Sequence, residues 1–174
     1  MKNYGKIYVN DIELKDIPEI ELYVDQIITL LNKYETDEEK YLTKSMINNY
    51  SKAKIIEKIK GRKYSQSHVI IIAIINRLKQ TLTINEINTL MLKANSSIIN
   101  EKGEYKLSAL KNIYEKYRKF FSESEGSFEK IAILLNNAKE NTDEGEYLLI
   151  KALCLSAISQ NLQIIVKKMI TEEE

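Results

Sequence analysis

The sequence predicts a mainly α protein, and three observations carry that reading. Breakers are scarce, with one proline and five glycines in 174 residues. Apolar residues recur at spacings of three and four through successive windows, which is the beat of one buried helix face. Helix-opening signatures such as "TDEE" (36–39) and "TINE" (83–86) recur along the chain, each pairing a hydroxyl with a carboxylate three residues on. A chain of this length is able to bury one full core without disulfide staples.

In chain order, residues 1–16 are polar and weakly alternating ("KIYVNDIEL"), as in an arm or a short strand. Pro18 then opens an amphipathic run over 19–34, with Ile20, Val24, Ile27, Ile28 and Leu31 on its apolar face. "TDEE" predicts a short helical turn. Thr43 caps the next helix, and at 100° per residue its side chains separate into two faces. Lys44, Ser45, Asn48, Asn49 and Lys52 share one face, while Met46, Ile47, Tyr50 and Ala53 take the other. "IIEKIKGRKYS" (55–65) is short, basic and carries Gly61, which suits a small β-hairpin. Ser65 or Ser67 caps a helix to about Gln80 that is too apolar for the surface and so should be central. "TINE" opens a helix to about Ala94, with Ile84, Ile87, Leu90 and Met91 inward. Three more helices are expected over about 106–121, 127–139 and 143–170. The boundary between domains is drawn at 95, giving 1–95 and 96–174.

Composition excludes several classes. Cys154 is the only cysteine, so there is no internal disulfide framework; its apolar surroundings predict an inert, buried thiol. His68 is the only histidine, which removes His-based metal sites and Ser-His-Asp triads; it reads as a helix-start residue that packs or hydrogen-bonds. The acidic clusters lack the spacing of a calcium loop, and there is no phosphate-cradling glycine loop. The expectation is a non-enzyme without cofactor or metal. The start "MKNYGKIYVNDIELKD" is too charged for a signal peptide, and the longest purely apolar run, "VIIIAII" (69–75), is far short of the ~20 residues of a bilayer span. A cytoplasmic protein with no membrane partner is expected.

Net charge is +1, which alone suggests no polyanionic partner, but the distribution is uneven. Residues 44–63 carry Lys44, Lys52, Lys54, Lys58, Lys60, Arg62 and Lys63 against the single acid Glu57, leaving 19 basic and 24 acidic residues elsewhere. Asparagines on an exposed helix face are able to pair with adenine edges, and lysines reach phosphates or guanine. Ile, Asn and Lys are abundant throughout, so a single Asn or Lys here means little. Their segregation onto one face beside a basic hairpin is what points to DNA.

The pieces "TKSMINNY" (43–50), "IIEKIKGRKYS" (55–65), "INRLKQ" (75–80) and "LTINEI" (82–87) are similar in order to the winged helix-turn-helix domain of MerR-type regulators. "IPEIELYVDQIITLL" (17–31) together with "LTKSMINNYSKAKII" (42–56) resembles a bacterial family described as domain of unknown function 1836, over roughly residues 14–118. The resemblance implies a MerR-like winged domain followed by a helical C-terminal region that packs on it or pairs two copies. It brings no activity with it.

The predicted function is DNA binding in transcriptional control. Lys44, Ser45, Asn48, Asn49 and Lys52 would face the groove, and Lys58, Lys60, Arg62 and Lys63 would form the wing. Double-stranded DNA and a second copy of the chain are the expected partners. Two alternatives are a protein-interaction module that has lost DNA affinity, and a small-molecule sensor built on the C-terminal stripe Leu107, Leu110, Ile113, Tyr114, Tyr117, Phe120 and Phe121. Tyr50 and Tyr64 are expected as core rings with their hydroxyls at the rim.

Overall fold

The computed structural model describes residues 11–35, 37–59, 61–137, 139 and 143–171, without the side chains of residues 125 and 128. They fall into two compact units, 11–117 and 118–171. The first holds almost all of the apolar core. Of the buried hydrophobic side chains among the described residues, only Tyr147 and Ile170 lie outside it.

The first unit opens with a single 3-10 turn, Leu14–Asp16, and then a two-residue strand β1 (Leu22–Tyr23). Helix α1 (Val24–Asn32) begins only there, where the Gln26 side chain accepts from the Tyr23 N–H at 2.9 Å. The expected helical start at 19 is thus corrected. Residues 22–23 are extended because they pair with β2 (Lys63–Tyr64), Leu22 opposite Tyr64 and Tyr23 opposite Lys63, and Ile20 is left 70% exposed. The small antiparallel sheet is present, but its two strands lie forty residues apart in sequence rather than both within 55–65. That pairing is non-local, and local periodicity contains no trace of it.

After α1, Asp37 caps a 3-10 turn at Glu38–Lys40, accepting from the Glu39 N–H at 3.1 Å; Thr36 lies outside the described residues. Helix α2 (Lys44–Lys52) follows, and α3 (Gln66–Leu78) is the central helix. Val69, Ile70, Ile71, Ile72 and Ile75 of α3 are all buried, which accounts for the near-continuous apolar run. Gln66 is also buried and donates to the Ile17 carbonyl at 3.0 Å. In α4 (Ile84–Ile98), Thr83 and Glu86 form the predicted reciprocal cap, and the helix runs one turn beyond Ala94. A tight reversal at 99–105 then uses Gly103 at φ +75°, with the Asn100 side chain accepting from the Lys102 and Glu104 N–H groups, both at 2.9 Å.

Helix α5 (Leu107–Glu123) starts in this unit. Its expected apolar stripe is divided: Leu110 and Tyr114 are fully buried, the latter donating to the Ile12 carbonyl at 2.9 Å, whereas Phe120 is 70% exposed. Asp11 joins the first unit's ends, paired with Arg77 of α3 and accepting from the Tyr117 hydroxyl.

The second unit contains the end of α5, α6 (Glu125–Asn137) and the 28-residue α7 (Glu144–Thr171). Asp143 and Glu146 cap α7 reciprocally, and the Tyr147 hydroxyl donates to Asn136 at 3.1 Å. From Ala152 to Met169 every side chain of α7 is exposed, that of Cys154 among them. This overturns the expectation of a buried thiol, because no element among the described residues covers the apolar faces around it. By length and composition α7 is able to cross a membrane, with a mean hydropathy of 1.5 over eighteen residues that polar insertions keep from being one unbroken apolar run.

Candidate nucleic-acid interface

Two clamps fix α2. At its start, the Asn32 side chain bonds both backbone groups of Leu42, donating to the carbonyl at 3.0 Å and accepting from the N–H at 2.9 Å. This ties the end of α1 to the residue before the cap. Thr43 then accepts from the Met46 N–H at 3.3 Å, satisfying one of the helix's unpaired donors. At its end, the Ile55 N–H reaches the Tyr50 carbonyl at 3.0 Å and the Lys54 N–H reaches the Ser51 carbonyl at 3.1 Å. Together these form a Schellman closure, with Lys54 at φ +57° where glycine is the usual occupant.

Between the clamps the two faces separate as expected. Ile47 and Tyr50 are 0% and 1% exposed, while Lys44, Ser45, Asn48, Asn49 and Lys52 all stand in solvent. Lys44 lies 3.9 Å from Asp25 of α1, an exposed ion pair of little energetic weight. The Tyr50 ring is core, but its hydroxyl is buried without a partner among the described residues, not at the rim as expected. Burial accordingly pushes its phenol pKa up.

The segment after α2 is irregular until β2, and its basic side chains Lys58, Arg62 and Lys63 are exposed; Lys60, assigned to the wing, lies outside the described residues. Gly61 takes φ +88° in the turn. Below the turn, Ile55 and Ile56 are buried and Tyr105 holds the backbone. Its hydroxyl donates to the Ile55 carbonyl at 3.3 Å and accepts from the Glu57 N–H at 2.9 Å, and its own N–H donates to the Glu57 carboxylate at 2.9 Å. Burial pushes the Tyr105 phenol pKa up to about 12. The sole acid of the basic stretch is therefore used as an anchor, while the cations are left to solvent.

His68 stands edge-on to both Tyr64 and Tyr105, at 5.9 and 5.4 Å between centroids, and its Nδ1 is 2.7 Å from the Ser65 hydroxyl. This is the packing role expected for it, and burial pushes its pKa down. The Tyr64 phenol pKa is raised in the same way by burial.

Sequence reasoning missed Tyr23. It is half exposed on β1, with the Lys63 ammonium 5.2 Å above its ring centroid, so it positions that cation. The only advance signal was an aromatic residue within the amphipathic run over 19–34. Among the described residues no group of histidine, cysteine and acidic side chains is arranged to hold a metal.

The family model of DUF1836, described as a domain of unknown function, matches residues 12–117. The chain belongs to this family. The match coincides with the first compact unit, so α2, the basic segment and the Tyr105 anchor are all parts of the DUF1836 domain. No curated protein matches the chain, and no solved structure does.

Proposed function

We propose that this DUF1836 protein is a DNA-binding regulator of transcription. In this reading α2 lies in a groove, the basic segment acts as a wing along the phosphates, and the domain is a MerR-like winged helix-turn-helix. The order α1, α2, basic segment, α3, α4 supports it. The observation that carries it is the division of labour in 44–63. Every apolar anchor of that stretch with a structural task (Ile47, Tyr50, Ile55, Ile56) is buried, its one acid is bonded to Tyr105, and its described cations and asparagines face solvent.

Phosphate contacts would come from Lys44, Lys52, Lys58, Arg62 and Lys63, and base contacts from Asn48 and Asn49. One short helix reads few base pairs, so two copies of the domain on a two-fold site complete the reading. Fluorescence anisotropy with a random-sequence duplex at stepped salt tests it. Five neutralised phosphates per copy contribute about −4.5 to the log–log slope, or about −9 for the two copies together. Absence of binding at low salt would refute the proposal.

A further inference from the structure

Helix α7 exposes an apolar seam that the DNA reading does not use. Leu148, Lys151, Leu155, Ile158, Leu162, Ile165 and Met169 follow one another at alternating steps of three and four, a heptad repeat with leucine or methionine at every seventh place. Six of the seven are large apolar residues, from 37% exposed at Ile158 to 72% at Met169. Two helices that keep a strict seven-residue repeat wind slightly around each other, which keeps the stripe of each facing the other. The seam is about 32 Å long at 1.5 Å per residue.

We infer that α7 pairs in antiparallel sense with α7 of a second copy of this chain. Lys151 decides the direction. In a parallel pair it would face Lys151 of the other copy inside the seam, and like charges directly opposed there are destabilising. In the antiparallel pair it meets Leu162, while Leu148 meets Ile165 and Leu155 meets Ile158. That register sets the acidic first turn, Glu144 and Glu146, level with Lys167 and Lys168 of the other copy, and it opposes the two helix dipoles. The cap at Asp143 and Glu146 and the Lys151 ammonium 4.2 Å over the Tyr147 ring already order the end where this meeting occurs.

A lipid bilayer is the competing cover for so apolar a helix. It is disfavoured by Ser156, Ser159, Gln160, Asn161 and Gln163, which such a span would carry into the hydrocarbon. The pairing supplies the second copy invoked for DNA, but it rests on the periodicity of α7 and holds whether or not α2 binds DNA.

The test uses the full chain. In detergent-free buffer, sedimentation velocity at tens of micromolar should give a dimer. Leu155→Glu with Ile158→Glu, both at exposed positions, should weaken it at least about 100-fold while the circular dichroism of the chain is unchanged, because the register sets these carboxylates opposite one another in the seam. Direction is read by disulfide trapping in a Cys154→Ser background. A mixture of the Leu148→Cys and Ile165→Cys chains, oxidised with copper phenanthroline, should cross-link as a heterodimer, and neither chain should cross-link alone. Cross-linking of Leu148→Cys with itself would overturn the antiparallel assignment. A monomer, or a chain recovered only with detergent or phosphatidylcholine vesicles, would overturn the pairing altogether. Salt-dependent DNA binding by the Glu variants separates failure of the seam from failure of the DNA reading.

Discussion

The bond pair between Asn32 and Leu42 sets where α2 begins, so Asn32→Ala is the sharpest single perturbation of the interface from a distance. The side chain closes two hydrogen bonds of 2.9 and 3.0 Å to one residue's backbone, and Leu42 itself is 1% exposed. Each bond contributes about 0.5–1.5 kcal/mol net, and loss of the amide leaves a donor and an acceptor in a part-buried place where water replaces them poorly. The expected cost is therefore about 2–3 kcal/mol in chemical denaturation, read as a lower midpoint with an unchanged slope. Asn32→Asp is the companion variant. It keeps the acceptor for the Leu42 N–H but sets a carboxylate oxygen against the Leu42 carbonyl, so it should recover less than half of the loss. A change below about 0.5 kcal/mol for Asn32→Ala, or full recovery with aspartate, would refute the assignment of the clamp.

Three further outcomes follow from the local geometry. Lys54→Gly should stabilise the fold by about 1 kcal/mol in the same denaturation assay, since a left-handed backbone penalises a side-chain-bearing residue by about 1–2 kcal/mol and glycine recovers part of it. Tyr105→Phe removes the hydroxyl that serves Ile55 and Glu57; it should cost about 1–2 kcal/mol and raise hydrogen exchange selectively at the Glu57 N–H. His68 has its pKa pushed down by burial, so the unfolded chain takes up its proton first. The contribution is at its full value above the unfolded pKa of about 6.5 and is lost as pH falls below it toward the lower folded value. Melting temperatures from pH 8 to pH 5 should fall more steeply in the wild type than in His68→Phe, and parallel curves would contradict the buried neutral imidazole.

Much of the first unit was legible because its signals are local. The bounds of α2 follow from Thr43 and from the periodicity of Ile47 and Tyr50, and the burial of α3 follows from an apolar run that no surface helix carries. The exposure of Lys44, Ser45, Asn48, Asn49 and Lys52 follows from the same angular arithmetic. What escaped was set by partners far along the chain. Residues 19–23 have a helical beat, yet 22–23 are held extended by Lys63 and Tyr64, and Ile20 is exposed in consequence. Glu57 reads as a dilution of the basic patch until Tyr105, forty-eight residues later, takes up its carboxylate. The error at Cys154 is of another kind. An apolar neighbourhood in sequence predicts burial only when some element covers it, and no element among the described residues covers that side of α7.

The most direct measurement of the central claim is the salt dependence of duplex binding by the wild type beside two variants. Neutralising Lys58, Arg62 and Lys63 together removes three of the five phosphate contacts. The log–log slope should fall from about −4.5 to about −1.8 per bound copy, or from about −9 to about −3.6 for the pair, and affinity should drop alike for every sequence. Asn48→Ala should leave the slope unchanged and cost about 1–3 kcal/mol only on a duplex selected by the wild-type protein from a random pool. If the triple variant keeps the wild-type slope, or if Asn48→Ala weakens random and selected duplexes equally, α2 and the basic segment are not a DNA-reading surface.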